Sequence, residues 1–329
     1  MAQTQLVDVV IPAEFTNYTI LNSVVSTAFS HSGIMVPNGE IQSQLAAGAD
    51  QFTAPFWNDL DSTVEADVTS DNPLILATPQ KFIAGSQSIR KSFLHQSWAQ
   101  MSLAAELSGD DPLARLQNRV TAWWDRQVQQ RLIASLHGLV LANVANNAGD
   151  QVIDITGLAG TAANISASSS IDTVQTLGDK LEDVTCVAMH SFVYGQLSKQ
   201  DLIEFIPNSQ GKPFKTYRGA SVVVDDGLSF GNGVYATVFF GQGAVAYGIA
   251  EPRVAPGTEL YNLPAAGNGA GMVTLHSRIN LAIAPLGWSW SDATGLTAVS
   301  PSIADLGVAA HWTRVVPRKA SPIAILMSK

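Results

Sequence analysis

Apolar side chains recur at spacings of three and four from Leu113 through Leu116, Val120, Trp123 or Trp124, Val128, Leu132 and Leu136 to Val140, with Arg115, Arg119, Asp125, Arg126 and Gln129 between them. That period lays one apolar stripe along a helix. Asp110 and Asp111 precede Pro112, which puts acidic residues at the positive end of the helix dipole and proline in the first turn. The pattern runs to about Asn146, near Gly149, so the helix is roughly 50 Å long at about 1.5 Å per residue, longer than most globular helices. A single stripe, interrupted by Gly138 and carrying paired tryptophans, predicts packing on a sheet rather than a coiled-coil seam.

Shorter elements follow. Val184–Met189 is an apolar run of strand length, Ser191 stands where an N-cap would, and Val193, Leu197 and Ile203 continue as a helical stripe. The cluster 207–211 breaks the chain, Ala220–Val224 reads as a second strand, and Asp225-Asp226-Gly227 turns it. Gln151–Ile155 reads as a short strand, Gly157–Ser170 as a loop and Ile171–Leu181 as a helix. Gly233–Phe240 and Ala244–Ile249 read as a hairpin around Gly241-Gln242-Gly243. Gly271–Pro285 alternates, with Val273, Leu275, Ile279, Leu281 and Ile283 on one face, and Asp305–Trp312 with Ile323–Leu326 predicts a final helix and strand.

The first hundred residues are less orderly. Residues 1–57 hold several large apolar side chains, with a weak helical pattern over Asn17–Phe29, but no closed core. They predict an arm lying on another subunit. Turn signals at Ser70-Asp71-Asn72-Pro73 and Gly85-Ser86 divide the next stretch, so Val64–Val68 and Ile83–Phe93 read as two polar strands joined by a wide loop. Such a hairpin is marginal alone. Deleting residues 64–90 is expected to leave a folded subunit.

Composition changes the picture in one respect. Only 14% of the 329 residues are charged, against roughly 25% in an average domain, while 46% are apolar. The shortfall suggests surface covered by partners. Net charge is −9 and no run of Lys or Arg occurs, so no basic patch grips nucleic acid. Cys186 is the sole cysteine, which rules out a disulfide framework within one chain and suits a reducing cytoplasm. The start has neither the basic region nor the apolar core of a signal peptide, and no apolar stretch reaches the roughly 18 residues of a membrane span.

Candidate chemistry is thin. Gly241 to Ala246 fits a loose GxGxxA, but a dinucleotide site needs a helix immediately afterwards, and Ala244–Ile249 is strand-like. The six histidines, at 31, 95, 137, 190, 276 and 311, show no HxH or HExxH spacing. His190 beside Ser191 invites a strand-end catalytic pair, yet GxSxG is absent. Asp59 with Asp61, Glu182 with Asp183 and Asp225 with Asp226 lack calcium-loop spacing, and no Walker A sequence occurs. Turn and cap roles fit these residues best. No catalytic, cofactor-binding or metal-ligating residue is assigned.

One set of phrases occurs in a familiar order: 12–18 (PAEFTNY), 52–57 (FTAPFW), the strand entering Met189-His190-Ser191, Tyr194-Gly195-Gln196-Leu197, Phe205-Ile206-Pro207, Tyr217-Arg218-Gly219 and Val224-Asp225-Asp226-Gly227. Together they resemble the major capsid proteins of tailed bacteriophages, of the Hong Kong 97 fold. The resemblance implies an α+β capsid fold. Its parts would be an N-terminal arm (1–57), an extended hairpin loop (58–97), a peripheral domain (98–164) with spine helix 112–146, an axial domain (165–260), and a peripheral return with the C-terminal segment (261–329). It implies a non-enzymatic subunit, made in the host bacterial cytoplasm and located in the virion. Copies would form pentamers and hexamers of an icosahedral head that encloses double-stranded DNA without sequence-specific binding. A portal protein is an implied partner, and a decoration protein is allowed. Longer members carry a scaffolding segment before the hairpin; with only about 57 residues there, a separate scaffolding protein is implied. Residues expected at subunit interfaces are Trp57, Lys81, Arg90, Pro207, Lys212, Lys215, Tyr217 and Arg218, with the loop 207–217 near the symmetry axes. Some members crosslink through lysine, but no local motif marks Lys81 for that. The alternatives are an encapsulin-type nanocompartment shell, which shares the fold, and a soluble α/β enzyme using His190 or the Gly241 loop.

Overall fold

The computed structural model describes residues 29, 33–60, 64–69, 71–74, 76–77, 79–109, 111–206, 214–292, 295–296 and 298–329. The predicted long helix is present as Pro112–Asn146. Its stripe of Val128, Leu132, Leu136, Leu139 and Val140 is buried in one cluster that reaches into two sheets.

The first sheet is organised by the long strand Met272–Pro285, which pairs along one edge with Ser92–Met101. Its other edge takes Thr258–Leu263 and then Val245–Ala250. Trp124 Nε1 on the spine helix donates to Ser277 Oγ at 2.8 Å, which fixes the face that the helix covers.

The second sheet runs in the order Val152–Asp154, Ile323–Ser328, Val234–Gly241, Val184–Met189, Ala220–Val224, Phe214–Tyr217, Glu204–Ile206, with Ser229–Gly231 added beside Val234–Gly241. Alternation sorts its two faces. Cys186, Ala188, Val238 and Phe240 join the spine-helix cluster, whereas Val187, Met189 and Phe239 pack with Val193, Leu197 and Ile165 on the opposite face. Val184–Met189 and Ala220–Val224 are parallel, so the helix Ser191–Lys199 lies in the crossover that parallel strands require.

Four expectations change. The Gly241-Gln242-Gly243 turn makes no hairpin, because the strands on either side of it belong to different sheets. Val234–Gly241 already has a neighbour on each edge, Ile323–Ser328 and Val184–Met189, so it has no edge left for Val245–Ala250. The extended hairpin is built from Gln51–Trp57 and Ala84–Arg90, with Val64–Val68 in irregular chain. The run Ile83–Phe93 breaks at Lys91, whose N–H donates to Asp50 O, and the next strand turns onto the long strand of the first sheet. The described part of the arm folds on its own chain: Met35–Pro37 adds parallel to Val245–Tyr247, and helix Gly39–Ala46 buries Ile41 and Leu45 against Ile89, Ala282 and Ala284. Finally, the helix expected at 171–181 runs earlier, at Ala167–Gln175, capped by reciprocal bonds between Ser166 and Ser169. The pattern over 17–29 lies outside the described residues except Phe29, which is buried edge-on to Phe240.

Candidate assembly surfaces

The hairpin has a rooted half and an exposed half. At the root Gln87 is buried, and its Nε2 donates to Pro285 O at 2.9 Å and Trp288 O at 2.8 Å. Ser88 N–H donates to Ser289 Oγ, and Ile89 is buried beneath it. Arg90 Nη1 lies 2.9 Å from both Asp50 and Asp292, and its Nη2 donates to Val299 O. Lys91 is fully buried, its Nζ donating to Ala47 O and Gly48 O at 3.0 Å and lying 5.8 Å over the Phe52 ring. Burial lowers the Lys91 pKa, with Asp50 pulling the other way.

Towards the tip the pattern reverses. Asn58 N–H donates to Ile83 O, closing the neck. Trp57 is 66% exposed, stacked at 4.8 Å on Phe82, which is itself 53% exposed. Leu74 and Leu76 stand almost fully in solvent, and Lys81 is exposed as well. Exposed apolar side chains such as these are candidates for contact with another molecule.

The second candidate surface is the far edge of the second sheet. Phe205 and Ile206 are exposed on the last strand, Lys215 is exposed with Nζ 4.8 Å over the Tyr194 ring, and Arg218 is exposed in the following turn. Tyr217 is buried instead, its hydroxyl donating to Ser170 Oγ at 2.8 Å, and burial raises its pKa. Of the eight interface residues named from the sequence, Trp57, Lys81, Lys215 and Arg218 are at the surface. The side chains of Arg90 and Tyr217 are held inside the subunit. Pro207 and Lys212 lie outside the described residues. Phe82, Leu74, Leu76, Phe205 and Ile206, not named among those eight, are exposed large apolar residues on the same two segments. Their signal was available: large apolar residues in segments with no matching periodicity.

The strand-end residues that invited catalysis cap and turn. His190, rather than Ser191, is the N-cap, its Nδ1 accepting the Phe192 N–H at 3.0 Å. Asp226 accepts the Ser191 N–H and lies 3.7 Å from His190 Nε2; the bond from Ser191 keeps its pKa below the ordinary carboxylate value. Asp225 is buried and accepts bonds from Gly227 N–H and Gln129 Nε2, while burial raises its pKa. The chain after Gly243 is a strand, so no helix N-terminus meets a pyrophosphate there. Among the described residues no group of three or more His, Cys, Asp or Glu could hold a metal ion, and no helix is long and apolar enough to cross a membrane.

No family model matches the chain. It is 33% identical over 329 residues to the major capsid protein of Bacillus phage SPP1, covering 97% of this chain and 96% of that protein. The chain belongs to the phage major capsid protein family. The fold of this capsid protein agrees. It matches the capsid of Ralstonia phage GP4 with a TM-score of 0.62 at 8% identity, covering 96% of this chain and 95% of that one. The encapsulin of the holo-SrpI complex from Synechococcus elongatus PCC 7942 matches with a TM-score of 0.51 at 11% identity, covering 95% and 91%. At such identities these two show shared fold alone; the SPP1 relative carries the assignment. The capsid protein is a mixed helix-and-strand shell subunit of the virion, and it associates with copies of itself.

Proposed function

We propose that this capsid subunit closes into pentamers and hexamers of an icosahedral head around double-stranded DNA, using the Hong Kong 97 type of fold. The observation that supports this reading is the hairpin: its root is locked by Gln87 and Arg90, and its apolar end is exposed in the subunit. An element rigid at one end and unsatisfied at the other suits a tie between neighbours. Contacts between unlike patches close into rings when the rotation closes.

In this reading the Phe205–Ile206 edge and the 207–217 loop approach the symmetry axes, with Lys215 and Arg218 at contacts there, while Trp57 and Lys81 meet an adjacent subunit. The spine helix with the first sheet forms the peripheral part, and residues 165–260 form the axial part. The subunit performs no catalysis and is made in the host bacterial cytoplasm. A separate scaffolding protein and a portal protein complete assembly, and a decoration protein is accommodated. DNA is enclosed without sequence-specific grip, consistent with a net charge of −9.

Expression of the chain with scaffolding protein, followed by size-exclusion chromatography and negative-stain microscopy, tests the proposal. Closed shells are expected. A stable monomer or dimer under those conditions would sink it.

A further inference from the structure

On the first sheet, the face turned away from the spine helix carries two facing imidazoles. His95 Nε2 lies 3.0 Å from His276 Nδ1, with ring centroids 5.2 Å apart and planes 25° apart. Register explains the meeting. His95 stands directly opposite Arg278, and His276 opposite Ser97 on one side and Glu259 on the other. The two histidines are therefore diagonal neighbours across adjacent strands, within reach of each other. The charged groups beside them are Arg278 and Glu259, which pair at 2.9 Å. Arg278 Nη1 also donates to Pro256 O.

A ring-to-ring hydrogen bond needs one nitrogen as donor and the other as acceptor. Full protonation removes the acceptor and sets two cations against each other, with Arg278 a third and Glu259 a countercharge beside them. We infer that His95 and His276 form an acid-sensitive clasp between strand Ser92–Met101 and the long strand, closed at neutral pH and forced apart when both rings are charged. The clasped strand continues from the hairpin through Lys91, so the device sits on the segment that joins the hairpin to the sheet. Burial first, then His276 and Arg278, lower the His95 pKa. A histidine with a lowered pKa when folded binds protons better when unfolded. Its stabilising contribution is therefore complete at neutral pH and is lost as pH falls below the unfolded value of about 6.5.

Urea unfolding of the full-length subunit at about pH 7.5 and about pH 5, for wild type, His95→Gln and His276→Gln, reads the clasp. The unfolding constant of the wild type should rise more on acidification than that of either variant. The other histidines are common to all three proteins and cancel. The His95 imidazole resonances followed through the same range should titrate at higher pH in His276→Gln than in the wild type, because the neighbouring ring is one cause of the lowering. Equal acid loss in all three proteins would overturn the inference, as would a His95 titration left unchanged in His276→Gln.

Discussion

Trp312 crosses the spine helix at Gly138, its indole Nε1 only 2.5 Å from where a β-carbon on that glycine would sit and donating to Leu306 O at 2.8 Å. The Leu306 carbonyl would lie closer still to that carbon, and a backbone oxygen cannot swing aside as a flexible side chain can. Gly138 lets the helix receive the C-terminal segment, so the interruption in the apolar stripe is a contact site.

Gly138→Ala tests this directly. Alanine favours a helix interior by about 1 kcal/mol over glycine, whereas overpacking a tight contact costs about 1–3 kcal/mol. The clash with main chain should win, lowering the melting temperature by a few degrees. A raised melting temperature would show that the C-terminal segment shifts freely.

Asp150, just past the end of the spine helix, is held by both Arg314 nitrogens, at 2.7 and 2.8 Å, and by Asn143 Nδ2 at 2.9 Å. The Arg314 hydrogen bonds are the main reason its pKa lies below the ordinary carboxylate value. A lowered carboxylate pKa contributes stability above the unfolded value of about 3.9, and that contribution is lost as pH falls through the folded value. Arg314→Met should cost on the order of 1–2 kcal/mol at neutral pH, a figure reduced for the partial exposure of Asp150. Denaturant titrations at about pH 7 and about pH 3 should show the gap shrinking in acid. A constant gap would assign the loss to packing.

The hairpin predicts two opposite outcomes. Gln87→Ala leaves the Pro285 and Trp288 carbonyls without their buried donor and should cost about 1–3 kcal/mol. Replacing residues 59–82 by a short Gly/Ser linker touches neither the root nor the closing bond from Asn58 to Ile83. Its circular-dichroism melt should match wild type while shells disappear from micrographs. Deletion of 64–90 is a poorer experiment than the sequence suggested, because it removes the buried Gln87, Ile89 and Arg90.

What was legible in the sequence was whatever repeats along one element. The helix Pro112–Asn146 was readable because its buried stripe repeats at about 3.6 residues, and the strands Val184–Met189 and Ala220–Val224 because each is a short apolar run bounded by breaks. Pairing was not readable. Nothing local says that Gln51–Trp57 seeks Ala84–Arg90, or that the strands on either side of Gln242 enter different sheets, because those choices depend on which edges distant strands have already filled. The same limit hid the burial of Arg90 and Tyr217: a charged or amphipathic residue looks like surface until its partners, Asp292 and Ser170, arrive from 202 and 47 residues away.

Trp57 and Tyr217 therefore make a matched test, since sequence alone put both at interfaces and the fold separates them. Trp57 is 66% exposed with its ring on Phe82, so Trp57→Ser should leave subunit stability within about 0.5 kcal/mol, as for most surface substitutions. If the hairpin end seats on a neighbour, an aromatic anchor there is worth about 2 kcal/mol or more per contact. The loss recurs at every copy, so assembly at fixed protein concentration should fail. Tyr217→Phe keeps the buried ring and removes only the bond to Ser170, costing about 1 kcal/mol of subunit stability while shells still form. Chromatography and microscopy at matched concentration, paired with melting curves, separate the two effects. Shells of normal yield from Trp57→Ser would move the contact away from the hairpin end and onto the Phe205–Ile206 edge.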